Sequence, residues 1–103
     1  MAFDGTEGQQ ISTTDGAALT AAHRMANPSD LLGHFVGKDI LNQILAQTGC
    51  MGIRFYHGLD SSGNRKLVLV GVDANENDLV SGIVADKGSP CPPLPPTSNA
   101  LNS

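Results

Sequence analysis

A chain of 103 residues, 40% hydrophobic and only 16% charged, has room for one folded domain and too few charges to stay disordered. Its aromatic residues are Phe3, Phe35, Phe55 and Tyr56, with no tryptophan, so Leu, Ile, Val and Ala must build the core. A net charge of −4, with no basic cluster larger than Arg65-Lys66, argues against nucleic acid and anionic membrane surfaces as partners.

Residues 1–10 are rich in Gly, Gln and acids. They read as a flexible lead-in without the basic and apolar regions of a secretory signal. Ser12-Thr-Thr-Asp15 then fits a capping pattern: the Ser oxygen accepts orphan helix N–H groups and the acid faces the positive end of the helix. Ala18, Leu19, Ala22, Met25 and Ala26 follow at helical spacing, and Asn27-Pro28 ends the helix because a residue before proline is pushed out of the α region. Gly33–Gly37 suits either a loop or a short strand. A second helix is predicted over Lys38–Thr48. Ile40, Leu41, Ile44 and Leu45 form its apolar stripe, and Gly49 is placed as a left-handed cap.

Met51–Leu59 alternates. Met51, Ile53, Phe55 and Leu59 point one way, with His57 on their side; Gly52, Arg54, Tyr56 and Gly58 point the other. Asp60-Ser-Ser-Gly-Asn64 supplies turn residues, with Gly63 or Asn64 suited to positive φ. Arg65–Asp73 is nearly continuous Leu and Val, so the two segments read as an antiparallel hairpin. The second strand lacks a wet face, which predicts cover on both sides. A third strand near Gly82–Asp86, the N-terminal arm or a second subunit could provide it. Residues 88–103 hold five of the six prolines and read as an extended tail with polyproline II character.

The expected fold is therefore α+β, with two helices packed on a small antiparallel sheet centred on the hairpin 51–73. Residues 1–10 form an arm, 11–87 a single domain and 88–103 the Pro-rich tail. A homodimer or larger oligomer is expected from the doubly apolar strand.

The chemical candidates are few. Asp73-Ala-Asn-Glu-Asn-Asp78 begins like a calcium loop, but Asp78 stands where the sharp turn needs Gly, and Val84 where a bidentate Glu belongs. It reads as a polar turn, with a weak cation site on Asp73, Asn75 and Asp78 as the alternative. His23, His34 and His57 have no zinc-site spacing, and Cys50 and Cys91 have no C-x-x-C partner. Cys50 follows Gly49 at a helix C-terminus, where the dipole disfavours a thiolate, so an inert thiol is expected. Arg54 and Tyr56 rise between Gly52 and Gly58, with Gly71 expected beside them. With His57 at the rim, they form the candidate subunit contact or, second, an anion-binding surface. Lys87-Gly-Ser-Pro90-Cys-Pro-Pro93 matches a short SH3-ligand pattern that the composition of the tail makes easy to meet by chance. No catalytic or cofactor-binding signature is present.

The segments Gly37-Lys-Asp39, Leu45-Ala-Gln47, Gly49-Cys-Met-Gly-Ile-Arg-Phe-Tyr56, Gly58-Leu-Asp60, Leu67-Val-Leu-Val-Gly-Val-Asp-Ala-Asn75 and Cys91-Pro-Pro93 resemble a group of small uncharacterised bacterial proteins, some carried on mobile gene cassettes. The resemblance implies one domain over most of residues 11–93 and no known activity. The functional expectation is a small, non-catalytic binding or protein-interaction module acting as a cytoplasmic oligomer without a cofactor. The alternative is a small metal- or thiol-dependent enzyme using Cys50, a histidine and Asp73 or Asp78.

Overall fold

The computed structural model describes residues 2–86 and 98–102 in full, and 89–91 by their backbone. The fold is α+β, with two helices and a three-stranded antiparallel sheet. Contacts group the chain into two units, residues 1–7 with 36–88 and residues 8–35 with 89–103. This grouping runs across the expected division into 1–10, 11–87 and 88–103.

In the second unit, helix α1 spans Thr13–Ala26. The Ser12 hydroxyl oxygen accepts from the Asp15 backbone N–H at 3.0 Å, the capping bond expected from the sequence. The helix ends where Asn27 donates to the His23 carbonyl, one residue before Pro28. Strand β1, Gly33–Phe35, resolves the ambiguous segment in favour of a strand. The other strands follow in chain order as β2, Cys50–Leu59, β3, Arg65–Asp73, β4, Val84–Ala85, and β5, Ser89–Cys91. β1 pairs antiparallel with β5, so the start of the Pro-rich tail contributes a strand. Pro90 stands opposite His34 in a two-stranded pair, where an edge position tolerates its missing N–H. The Pro-rich run after Cys91, residues 92–97, lies outside the described residues, as do Lys87 and Gly88 of the SH3-like pattern.

The first unit holds helix α2 and the main sheet, in the order β2-β3-β4. Helix α2 runs over Lys38–Leu45, three residues shorter than predicted. The Gln47 amide explains the early end: its Nε2 donates to the Ile44 carbonyl at 2.9 Å, and its Oε1 accepts from the Ile83 N–H at 2.9 Å. The side chain thus caps the last turn and ties it to the segment before β4. Gly49 takes φ +77°, the left-handed conformation anticipated for it.

β2 and β3 form the predicted hairpin, with Leu59 opposite Arg65 and Gly52 opposite Val72. The register shifts between Cys50 and Gly52, so Met51 is the extra residue of a bulge. In the connecting turn Asp60 Oδ1 accepts from the Ser62 and Asn64 backbone N–H groups, and Gly63 sits at φ +82°. Val84 opposite Val70 confirms a strand within the predicted 82–86 segment.

Directly opposed residues share a face. Ile53 with Gly71, Phe55 with Leu69 and His57 with Leu67 form one face; Gly52 with Val72, Arg54 with Val70 and Tyr56 with Val68 form the other. Helix α2 covers the first, with Ile44 against Gly71. Ile44, Leu69, Val70 and Val72 are the buried hydrophobic core. Cover for the valine face comes in part from the chain's own start: the Phe3 N–H donates to the Ala74 carbonyl at 2.9 Å, and the Phe3 ring lies against Arg54. Of the three expected sources of cover, the N-terminal arm lies on the valine face within one chain, whereas β4 pairs with the edge of β3 in the same sheet and covers neither face.

Candidate functional site

The polar face of the hairpin carries the candidate residues. Arg54 and Tyr56, two apart on β2, project side by side because strand residues alternate. After β3 the chain turns tightly at 73–77. Asp73 Oδ1 accepts from the Asn75 and Asn77 N–H groups at 2.9 and 3.0 Å, and Glu76 takes a left-handed φ of +70°. This turn returns Asp78 to a bridge opposite Val72, on the face that holds Arg54 and Tyr56.

Asp78 then receives both groups. Arg54 Nη1 donates to Oδ1 and the Tyr56 hydroxyl donates to Oδ2, each at 2.5 Å. Tyr56 first, and the charge of Asp78 after it, hold the Arg54 guanidinium above the ordinary arginine range, so it stays cationic throughout accessible pH. Phe3 completes the group, its ring centroid 5.9 Å from the guanidinium carbon.

This arrangement reshapes the expected site. Arg54 and Tyr56 do lie together, but their charge and hydroxyl are already matched by Asp78, so no uncompensated cation waits for an anionic ligand. Gly71 does not share their floor. It stands opposite Ile53 on the α2 face, because β3 residues of odd number point that way. His57 is exposed on the face opposite Arg54.

The cation-site candidates separate as well. Asp73 turns one carboxylate oxygen to its own loop, and Asp78 gives both of its oxygens to Arg54 and Tyr56. Among the described residues no cluster of three or more His, Cys, Asp or Glu side chains forms a metal cage. Cys50 is a half-buried free thiol whose Sγ donates to the Gly52 carbonyl at 3.2 Å. The Cys91 side chain lies outside the described residues. His23 donates from Nε2 to the Leu31 carbonyl at 3.0 Å, a structural role in the second unit.

An open groove of about 420 Å³ lies beside this group, lined by Phe3, Glu7, Gly52, Arg54, Phe55 and Val72 among others. Its far wall is the turn over residues 3–7, where Glu7 accepts from the Asp4 and Gly5 N–H groups. Within the expected flexible arm, the structure thus places a hydrogen-bonded turn. Sequence reading missed two members of the site, Phe3 and Asp78 as the partner of Arg54. The available signal for Asp78 was the short Asn/Asp turn, which returns the chain alongside β3 within a few residues.

β2 is the outer strand of the sheet, and among the described residues no strand pairs with its free edge. It is nevertheless the longest strand, and Phe55, Tyr56 and Leu59 remain 52%, 45% and 74% exposed. Among the described residues no helix is long and apolar enough to cross a membrane. Compared with family models, with curated proteins and with solved structures, the chain gives no match in any of the three.

Proposed function

We propose that this chain is a small, non-catalytic protein-interaction module that works as an oligomer, with β2 and its Arg54/Tyr56 face as the contact surface. One observation carries the reading: a ten-residue edge strand that keeps Phe55, Tyr56 and Leu59 in solvent. Natural sheets shield long edges with charge, proline or cover, because unpaired backbone groups recruit another strand. β2 has a bulge at Met51 and one charged residue, Arg54, which Asp78 neutralises. Aromatic residues and Arg are also the side chains that interfaces favour.

The support for assembly thus shifts from β3 to β2. The apolar β3 is flanked by β2 and β4 in the sheet, with α2 against one face and Phe3 on the other. The same reading sets the protein in a bacterial cytoplasm, where Cys50 remains a thiol. No observation favours the enzymatic alternative. Light scattering coupled to size exclusion at micromolar concentration should give at least twice the monomer mass of 10.7 kDa. A monomer throughout the micromolar range overturns the reading.

A further inference from the structure

We infer that the partner of β2 is β2 of a second copy, paired antiparallel about a two-fold axis at Phe55. This rests on the interaction-module reading and adds the occupant, the register and the residues that meet.

The register follows from backbone directions. The Asp60 N–H donates to the Asn64 carbonyl at 3.0 Å, which makes 60 and 64 a hydrogen-bonded pair. Hydrogen-bonded and non-bonded pairs alternate along an antiparallel ladder. Gly58, Tyr56, Arg54 and Gly52 therefore point their backbone groups inward to β3. Ile53, Phe55, His57 and Leu59 direct theirs to the free edge. The other side of β3 obeys the same alternation, since Leu79 N–H reaches the Gly71 carbonyl at 2.8 Å.

A two-fold axis at Phe55 sets outward groups against outward groups. Phe55 meets its copy, and Ile53 meets His57 of the second chain. On one face the two half-exposed Phe55 rings form a cross-strand aromatic pair. On the other, Arg54 lies opposite Tyr56 of the second copy, whose hydroxyl is bound to that copy's Asp78. The guanidinium so gains a second phenol ring and a nearby negative charge. The open groove is lined by Met51–Phe55 of β2, the stretch this register sets against residues 55–59 of the second copy.

Neighbouring registers are worse. An axis at Arg54 sets guanidinium against guanidinium, which is repulsive. An axis at Tyr56 replaces the Phe55 pair by a Tyr56 pair, but it sets Arg54 opposite Gly58 and loses the Arg–Tyr contact. A one-residue slip sets outward groups against inward ones.

The test uses the self-opposition of residue 55. Phe55→Lys and Phe55→Glu each place like charges face to face and should halve the mass seen by light scattering, with circular dichroism unchanged. Mixed in equal amounts, the two variants should recover the dimer mass as a heterodimer. In the wild-type chain, the amides of Ile53, Phe55 and His57 should exchange at least about tenfold more slowly on concentration from monomer to dimer. A wild-type oligomer that survives Phe55→Lys, two monomeric variants that fail to pair, or unprotected amides at 53, 55 and 57 in the oligomer overturn this interface while leaving the module reading intact. A wild-type monomer overturns both. Should either variant fail to fold, the wild-type exchange measurement decides alone.

Discussion

Asp78 shows how a single carboxylate can set the character of a surface. Its two oxygens collect the Arg54 and Tyr56 side chains and convert a candidate anion site into a neutral, ordered patch. The pair is partly solvated, so solvent screening discounts it: Asp78→Asn should lower the urea midpoint of unfolding only slightly, and less than Gly71→Ala does. The hairpin turn offers a pH test. The Asn64 backbone N–H, above all, holds the Asp60 carboxyl below its ordinary value of 3.8. A carboxyl depressed in the folded state stabilises fully above its unfolded value, and that stabilisation disappears as pH falls through the folded one. The amide resonances of Ser62 and Asn64 should therefore hold steady down to about pH 4 and shift together below it. At this scale the sequence was half legible. The pairing of Arg54 with Tyr56 follows from strand alternation, and Asp73 as a turn former follows from its short side chain. Asp78 as their partner depended on how far the 73–77 turn swings the chain back.

At the scale of elements, the junction between α2 and the sheet is tightly packed. A Cβ added at Gly71 would lie 2.8 Å from Gln47 Nε2, 3.0 Å from Cys50 Sγ and 3.3 Å from Ile44 Cγ2. Gln47 cannot easily yield, since its amide is held at both ends by Ile44 and Ile83. Gly71→Ala is accordingly expected to cost about 1–3 kcal/mol of stability. Gly52→Ala, where an added Cβ meets nothing within 4 Å, should change stability by less than about 0.5 kcal/mol. Equilibrium urea curves on the two variants check the contrast. The two helices and the hairpin were readable because their periods of 3.6 and 2 differ plainly in these segments. The end of α2 was not, because it is set by a side chain whose second partner, Ile83, is 36 residues away. β1 and β5 escaped for a related reason: three-residue strands carry too little pattern, and each exists only because the other is beside it.

At the scale of the whole molecule, the core is small, and its buried members Ile44, Leu69, Val70 and Val72 all belong to one unit. A domain of this size has little stability to spare, so strand pairing across a two-fold axis would contribute to folding as well as to assembly. Local spacing by itself determined the α+β class, the hairpin with its turn, the capped start of α1 and the face on which Arg54 and Tyr56 stand. Those features depend on neighbours within a few residues, which a sequence displays directly. Only the tertiary structure decided that β4 takes the other edge of β3, that Phe3 returns to lie against Arg54, and that β2 is left at the edge. Each of these joins residues far apart in the chain, and such contacts leave no periodic trace because they are chosen by packing.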